Sequence, residues 1–222
     1  MNEKLWTAVD EYITEMLLPA DAALDGALEA SNAAGLPPIA VTPAQGKFLQ
    51  LLARLQGARR VLEIGTLGGY STIWLARALP ADGKLVTLEV NPQFARIARE
   101  NILRAGLDAI VDLRLGSALE TLPQLGAEGH GAFDFIFIDA DKQNIPKYFE
   151  FACQLSRTGS LIIVDNVVRD GRVIDAKSHD PDIQGIRRFN QLLSLKQGIC
   201  ATAIQTVGAK GYDGFAIVLV TG

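Results

Sequence analysis

Two apolar segments in the second half of the chain end in side chains that carry oxygen ligands. The run 133–138 is followed by Asp139, and the run 161–164 is followed by Asp165 and Asn166. If the two runs are neighbouring parallel strands, these oxygens meet at the edge of the sheet where open α/β folds bind ligands. Carboxylate and amide oxygens suit a hard divalent cation, so the sequence predicts a site for Mg²⁺, with Mn²⁺ or Ca²⁺ as alternatives.

A glycine-containing turn follows the first predicted strand. Residues 63–71 read Glu-Ile-Gly-Thr-Leu-Gly-Gly-Tyr-Ser, and glycines there let the backbone approach a ligand beside exposed helix amides. The dinucleotide fingerprint requires glycine where Leu67 stands, and no Walker motif is present. A helix entry that binds nothing is the structural alternative at this point.

The next two predicted strands also end in residues suited to a nucleoside. One ends at Glu89, whose carboxylate can accept hydrogen bonds from both hydroxyls of a ribose, and the other ends before Ala118. The acidic side chains Glu63, Asp139 and Asp141 add negative charge along the same edge. This charge favours a cationic ligand such as S-adenosylmethionine over a dinucleotide diphosphate, although Glu89 alone could be a solvated strand end.

The elements that must position these residues follow from the hydrophobic pattern. From residue 60 onward, strand-like runs alternate with helical periodicity, which is typical of a parallel sheet with helices on both faces. The runs are 60–65, 84–90, 110–116, 133–140 and 160–166. Two further runs, 199–207 and 215–220, are joined by the short segment 208–214 and predict an antiparallel pair. We therefore predict an α/β fold: a Rossmann-like, doubly wound, mostly parallel seven-stranded sheet with an antiparallel C-terminal hairpin.

The first 59 residues have helical patterns near 2–18, 20–34 and 43–56. They predict a helical cap over the sheet, serving either substrate selection or structure alone. The motif Thr42-Pro43-Ala44-Gln45 resembles a capping box, as does Ser117-Ala118-Leu119-Glu120. We expect one domain spanning 1–222, with the cap in 1–59 and the core in 60–222.

Composition limits the possible functions. The chain has 222 residues, 49% of them hydrophobic, and a net charge of −4, which predicts one globular domain and argues against nucleic acid as a partner. The two histidines and the isolated Cys153 and Cys200 make zinc improbable and favour a reducing, cytoplasmic location. No signal-like segment or run of eighteen apolar residues is present, so neither export nor membrane spanning is expected.

Four segments, taken together, resemble one family. They are Val41-Thr42-Pro43, Leu62–Thr66 with Gly69-Tyr70-Ser71, Phe137–Lys142, and Asp165-Asn166. From about Thr42 to the C-terminus the chain is similar to the cation-dependent class I O-methyltransferases, which include caffeoyl-CoA O-methyltransferases and bacterial catechol-methylating enzymes.

The resemblance implies a set of site residues and partners. Contacts to S-adenosylmethionine are implied for Thr42, Glu63, Gly65, Thr66, Ser71, Glu89, Ala118 and Asp141. Metal ligation is implied for Asp139, Asp165 and Asn166, and Asp139 is also implied to touch the substrate. A homodimer is implied as well. The chain departs from the family pattern at 157–160, 144–146 and 210–214, which leaves the acceptor preference open.

The resulting hypothesis is metal-assisted methylation of an aromatic vicinal diol. The cation would lower the pKa of the attacking hydroxyl, and Lys142, near Asp139 in sequence, would accept its proton or stabilise the phenolate. The segment 167–179 with Asp170, together with the cap, is expected to wall the acceptor pocket. The rival interpretations are a nicotinamide-dependent oxidoreductase and a non-catalytic binding protein with this fold.

Several of these residues also have purely structural interpretations. Thr42 can be a helix N-cap, Ser71 can cap its own helix, and Lys142 can be a solvated charge at a strand end. The pair Asp165-Asn166 can form an ordinary Asx-turn.

Overall fold

The computed structural model describes residues 3–129 and 132–222. Within these ranges lie seven strands in one sheet and eight α-helices. The strands are β1 (Arg60–Ile64), β2 (Lys84–Glu89), β3 (Val111–Leu115), β4 (Phe133–Ile138), β5 (Ser156–Asp165), β6 (Ile199–Gly208) and β7 (Gly211–Val220). The helices are α1 (Glu3–Leu17), α2 (Ala22–Ala33), α3 (Pro43–Leu55), α4 (Tyr70–Ala76), α5 (Pro92–Arg104), α6 (Ala118–Ala127), α7 (Ile145–Gln154) and α8 (Pro181–Leu195). Asn2, where the first helix was expected to begin, lies outside the described residues.

The strand order is β3-β2-β1-β4-β5-β7-β6. The strands β1 to β5 pair in parallel, whereas β7 runs antiparallel to both β5 and β6. The predicted fold class is therefore confirmed. Because β1 pairs with β2 on one side and β4 on the other, the strand order reverses at β1. Such a reversal opens a crevice at the carboxyl ends of the two central strands.

Strand β4 shows why the sheet is covered on both faces. All six of its residues are buried, and Phe135 to Ile138 alternate between two apolar clusters. Ile136 and Ile138 pack into one cluster with side chains of α6, α7 and α8. Phe135 and Phe137 pack into the other with side chains of α2, α3 and α4. The N-terminal helices α2 and α3 thus complete one face of the core.

The C-terminal hairpin is tighter than the sequence suggested. Gly208 pairs with Gly211, so only Ala209 and Lys210 form the turn. The expected link 208–214 was too long because Gly211-Tyr212-Asp213-Gly214 already belongs to β7. Gly211 adopts a φ of +89°, a left-handed conformation that glycine accommodates without a steric cost.

The two predicted capping boxes form only in part. The Thr42 hydroxyl accepts a hydrogen bond from the backbone N–H of Gln45 at 3.2 Å, but the Gln45 side chain donates elsewhere, to Asp165. Ser117 precedes α6 without a side-chain capping bond. Across the described ranges, no helix combines the length and apolar character that crossing a membrane requires.

Candidate functional site

A cavity of about 1190 Å³ opens at the carboxyl ends of the parallel strands. It brings together most of the residues that the sequence singled out. Those that line it are Thr42, Gly65, Thr66, Ser71, Glu89, Ala118, Asp139, Asp141, Lys142 and Asn166. Glu63, Asp165 and Asp170 are not among the lining residues: Glu63 and Asp165 are buried behind the wall, and Asp170 is exposed.

Gly65 is required where the two central strands approach each other. Its φ is +99°, and a Cβ atom there would lie 1.9 Å from the backbone oxygen of Asp139. The Asp139 N–H donates to the Ile64 carbonyl at 2.9 Å, which joins the ends of β1 and β4. A side chain at residue 65 would therefore force apart the two strand ends that form the cavity floor.

Glu89 is held in a fixed orientation by backbone amides. Its Oε2 accepts hydrogen bonds from the N–H groups of Thr66 at 3.3 Å and Leu67 at 2.8 Å. Its Oε1 accepts from the N–H of Asn91 at 2.8 Å. The side chain is buried at the cavity wall, so the alternative of a solvated strand end is wrong. This arrangement fixes the orientation of the carboxylate at the cavity wall.

Glu63 is fully buried behind Ser71. It accepts hydrogen bonds from the hydroxyls of Ser71 and Thr87, each at 2.6 Å, and from that of Thr72. Burial raises the pKa of the Glu63 carboxyl to about 7, against the opposing effect of these hydroxyls. Gly69, not Ser71, is the N-cap of α4, so the capping interpretation of Ser71 is wrong. Ser71 instead presents its oxygen to the cavity while donating its proton to Glu63.

Asp141 is clamped by two side chains that follow it in sequence. Its Oδ1 accepts from the phenol of Tyr148 at 2.6 Å, and its Oδ2 accepts from the amide of Asn144 at 2.5 Å. Asp141, Tyr148, Asn144 and Ala118 all line the cavity. Both carboxylate oxygens thus have a fixed position, with lone pairs left for a ligand.

Lys142 forms an ion pair with Asp139. Its Nζ lies 2.7 Å from Asp139 Oδ1, and the residue is only 7% exposed. Helix α8 crosses this segment closely, since a Cβ at Gly185 would lie 2.2 Å from the Lys142 carbonyl oxygen. The alternative of a solvated lysine at a strand end is therefore wrong, and its ammonium is fixed at the cavity wall.

Asp165 is 5% exposed and lies within electrostatic reach of Asp139. Burial raises the pKa of its carboxyl, the Asp139 carboxylate raises it further, and Lys142 opposes both. Its Oδ2 accepts from Gln45 Nε2 at 2.7 Å, and its Oδ1 accepts from the N–H of Asn166 at 2.9 Å. An Asx-turn would bond the residue two positions on, so that interpretation is wrong.

The donor set fits a hard divalent cation. Within 3–129 and 132–222, no group of three or more His, Cys, Asp or Glu side chains is arranged to hold a metal. A cation here would therefore depend on two carboxylates, Asp139 and Asp165, and on the amide oxygen of Asn166. Such an all-oxygen set is what Mg²⁺, Mn²⁺ and Ca²⁺ favour. The mutual repulsion of the two carboxylates, which a cation would relieve, supports this fit.

The outer part of the cavity is formed by the cap and by the loop after β5. On α1, Asp10, Glu11, Thr14 and Glu15 line it, as does Arg169 from the loop. The Asp213 carboxylate holds that loop by accepting from the N–H groups of Val168 and Arg169, both at 2.9 Å. Asp170 is exposed and does not belong to this lining set, and its N–H donates to the Tyr212 carbonyl at 3.1 Å.

Sequence reasoning missed two residues that orient the candidate ligands. Gln45 resembled a capping residue, yet its side chain reaches Asp165 across 120 positions of sequence. Tyr148 belongs to none of the sequence motifs, and because Asp141 precedes α7, no helical spacing joins the two residues.

Comparison with known proteins adds an independent line of evidence. The sequence profile of the O-methyltransferase family matches residues 20–217. The chain is 52% identical to a catechol O-methyltransferase from Niastella koreensis over 220 residues, covering 99% of this chain and 100% of that protein.

Solved structures show the same similarity. An O-methyltransferase from Bacillus cereus in complex with SAH superposes with a TM-score of 0.97 at 57% identity, covering 98% of this chain and 99% of that one. The O-methyltransferase TomG from Streptomyces achromogenes, in complex with SAM, gives a TM-score of 0.97 at 50% identity and covers all of both chains.

Proposed function

This chain belongs to the O-methyltransferase family and is an S-adenosylmethionine-dependent enzyme; from that premise we propose that it methylates one hydroxyl of a catechol-type aromatic diol with the help of a divalent cation. The interpretations as a nicotinamide-dependent oxidoreductase and as a non-catalytic binding protein are wrong. The non-glycine residue Leu67 in the first turn already argued against the former.

The observation that carries this proposal is the juxtaposition of Asp139 and Asp165 at the ends of β4 and β5. Ile138 and Val164 are paired in register on these neighbouring strands, so Asp139 and Asp165 follow them side by side, and Asn166 lines the cavity. Burial, and then the Asp139 carboxylate, raise the pKa of the Asp165 carboxyl. A cation held by these carboxylates at the reacting end of the cavity would stabilise a phenolate and so make the phenol nucleophilic.

A bound divalent cation would lower the pKa of a coordinated phenol and so supply a phenolate near neutral pH. Asp139, Asp165 and Asn166 would hold this cation. The Lys142 ammonium, fixed beside Asp139, would stabilise negative charge on the acceptor oxygen while the phenol proton passes to solvent, or Lys142 in its neutral amine form would accept that proton. The phenolate oxygen then attacks the sulfonium methyl carbon as the carbon–sulfur bond breaks, which yields a methyl ether and a neutral thioether.

This reaction joins opposite charges, so the protein accelerates it chiefly by positioning the reactants and excluding water. Glu89 would fix the donor through its ribose, and the cavity wall from α1 and Arg169 would enclose the acceptor. An acceptor with two adjacent hydroxyls can chelate one cation, which supports the catechol class. The name of the Niastella koreensis relative also supports it.

The test measures methylated product by mass spectrometry with S-adenosylmethionine and a panel of catechols, monophenols and aliphatic diols. We expect product from catechols only, and loss of product in Asp139→Ala. Asp108→Ala, an exposed carboxylate after α5, is the matched control and should retain full activity. Full activity of Asp139→Ala, or equal turnover of monophenols, would contradict the proposal.

We also propose that residues 1–222 act as one methyltransferase domain and form a homodimer in the cytoplasm, without nucleic acid or membrane partners. Helix α1 buries none of its residues, and Tyr12 and Met16 on it are more than 60% exposed. An apolar surface of this kind suits a second copy of the chain. Light scattering of the wild type and of Met16→Glu would test the dimer.

The unpaired Cys153 and Cys200 fit a reducing compartment, which supports the cytoplasmic location.

A further inference from the structure

We propose that Tyr148 is a positioning residue that aims the Asp141 carboxylate at the exocyclic amine of the adenine ring, so that the enzyme selects adenine over hypoxanthine nucleosides. This inference deepens the proposed function and rests on the placement of Asp141 at the cofactor.

The contact that carries it is a hydrogen bond from a buried phenol to a carboxylate at the cavity wall. Tyr148 is 5% exposed, and its phenol donates to Asp141 Oδ1 at 2.6 Å. Burial, and then the Asp141 carboxylate, raise the pKa of the Tyr148 phenol, so it stays protonated and acts as the donor. With Asn144 bound to the other oxygen, the carboxylate cannot rotate without losing a partner.

The position of this clamp identifies the part of the cofactor that it meets. Glu89, at the end of β2, is placed for the ribose, and Lys142 with Asp139 marks the reacting end. Tyr148 lies on α7, which packs against α6, the helix that begins at Ala118. Gly116, Ser117, Ala118 and Leu119 line the cavity there, and Ser117 is the one polar side chain among these four. A compartment lined by small side chains, with one carboxylate at its wall, suits a nucleobase.

The chemistry of the carboxylate then favours one base. An ionised carboxylate only accepts hydrogen bonds. The C6 amine of adenine donates, whereas hypoxanthine has a carbonyl oxygen at C6, whose lone pairs would repel the carboxylate. An analogue that leaves a polar group of the site unpaired, or places a second acceptor against an acceptor, loses much affinity. It loses more than an analogue that only lacks one apolar contact.

The experiment compares two ligands by calorimetry: S-adenosylhomocysteine and S-inosylhomocysteine, which differ at C6 of the base. In Tyr148→Phe we expect about 10-fold weaker binding of S-adenosylhomocysteine, the loss of one hydrogen bond to a charged group. Binding of S-inosylhomocysteine should change less than about two-fold. KM for S-adenosylmethionine should rise while kcat at saturation is kept. Tyr212→Phe, which loses a phenol bonded to Gln205 outside the cavity, is the matched control.

A second variant keeps the test decisive if Tyr148→Phe is poorly folded. Asp141→Asn gives the wall a donor for a C6 carbonyl, so the preference between the two ligands should shift towards S-inosylhomocysteine. Equal losses for both ligands in either variant would overturn the inference. If the selectivity changes as expected but no catechol is methylated, the clamp stands and the proposed function fails.

Discussion

The carboxylate proposed to bind the ribose, on the cofactor side of the cavity, and the two proposed to bind a cation, on the acceptor side, are held by different means. On the cofactor side, three backbone N–H groups bind Glu89. On the acceptor side, side chains do most of this work: Lys142 binds Asp139, and Gln45 binds one oxygen of Asp165, whose other oxygen accepts from the N–H of Asn166. Backbone donors are fixed by the fold, whereas side-chain donors can rotate away. The first arrangement suits a ligand that meets a preformed site, and the second suits a charge that an incoming cation partly replaces.

The strongest test of this contrast is metal removal. We expect chelator treatment to lower catechol methylation by at least about 100-fold, with recovery on adding Mg²⁺ or Mn²⁺. Binding of S-adenosylhomocysteine should change less than about two-fold, because Glu89 keeps its backbone partners. Parallel losses of turnover and cofactor affinity would show that the two sides are not separable.

The reciprocal test acts on the cofactor side. Glu89→Gln replaces a charged acceptor by an amide, so we expect about 10- to 100-fold weaker binding of S-adenosylhomocysteine by calorimetry. Mn²⁺ affinity should be unchanged. Glu100→Gln, on the exposed face of α5 and paired with Arg96, is the matched control. Unaltered cofactor binding in Glu89→Gln would remove Glu89 from the ribose site.

A smaller effect is expected for the side chain that orients a candidate metal ligand. In Gln45→Ala, Asp165 loses its 2.7 Å donor, and we expect about 10-fold weaker Mn²⁺ binding by electron paramagnetic resonance. Gln50→Ala controls for damage to α3, because Gln50 lies on the same helix and bonds Lys47 instead. If both variants bind Mn²⁺ as the wild type does, Gln45 has no role in orienting Asp165.

The smallest effect concerns stability. The pKa of Glu63 is about 7 in the folded protein and near 4.5 in the unfolded chain. Between these values the folded state holds the extra proton, so this carboxyl makes the free energy of unfolding fall as pH rises from about 4.5 to 7 and adds no further change above.

We therefore expect the cofactor-free wild type to lose several degrees of Tm between pH 5 and 8 relative to Glu63→Gln, measured by calorimetry. Glu120→Gln, at the start of α6, is the control and should follow the wild type. An identical pH profile in Glu63→Gln would show that the buried carboxyl does not bind the proton.

Local patterns were sufficient for much of the fold because alternating strands and helices leave a strong periodic signal. The run 133–138 predicted a strand that the structure has, and the runs 199–207 and 215–220 predicted the antiparallel pair β6 and β7. The patterns failed where a polar residue had two possible partners. Ser117 and Gln45 both fit capping boxes, but neither side chain completes one.

The sequence by itself determined the order of the elements and which strand ends carry Asp139, Asp165 and Glu89, because side-chain periodicity and turn residues are local properties. It did not determine that Gln45 reaches Asp165, that Tyr148 holds Asp141, or that Ser71 serves Glu63. These contacts join or orient residues only after the sheet is assembled, and their energy depends on burial and on competing donors. Only the tertiary structure decides which of several satisfiable hydrogen bonds a buried polar group makes.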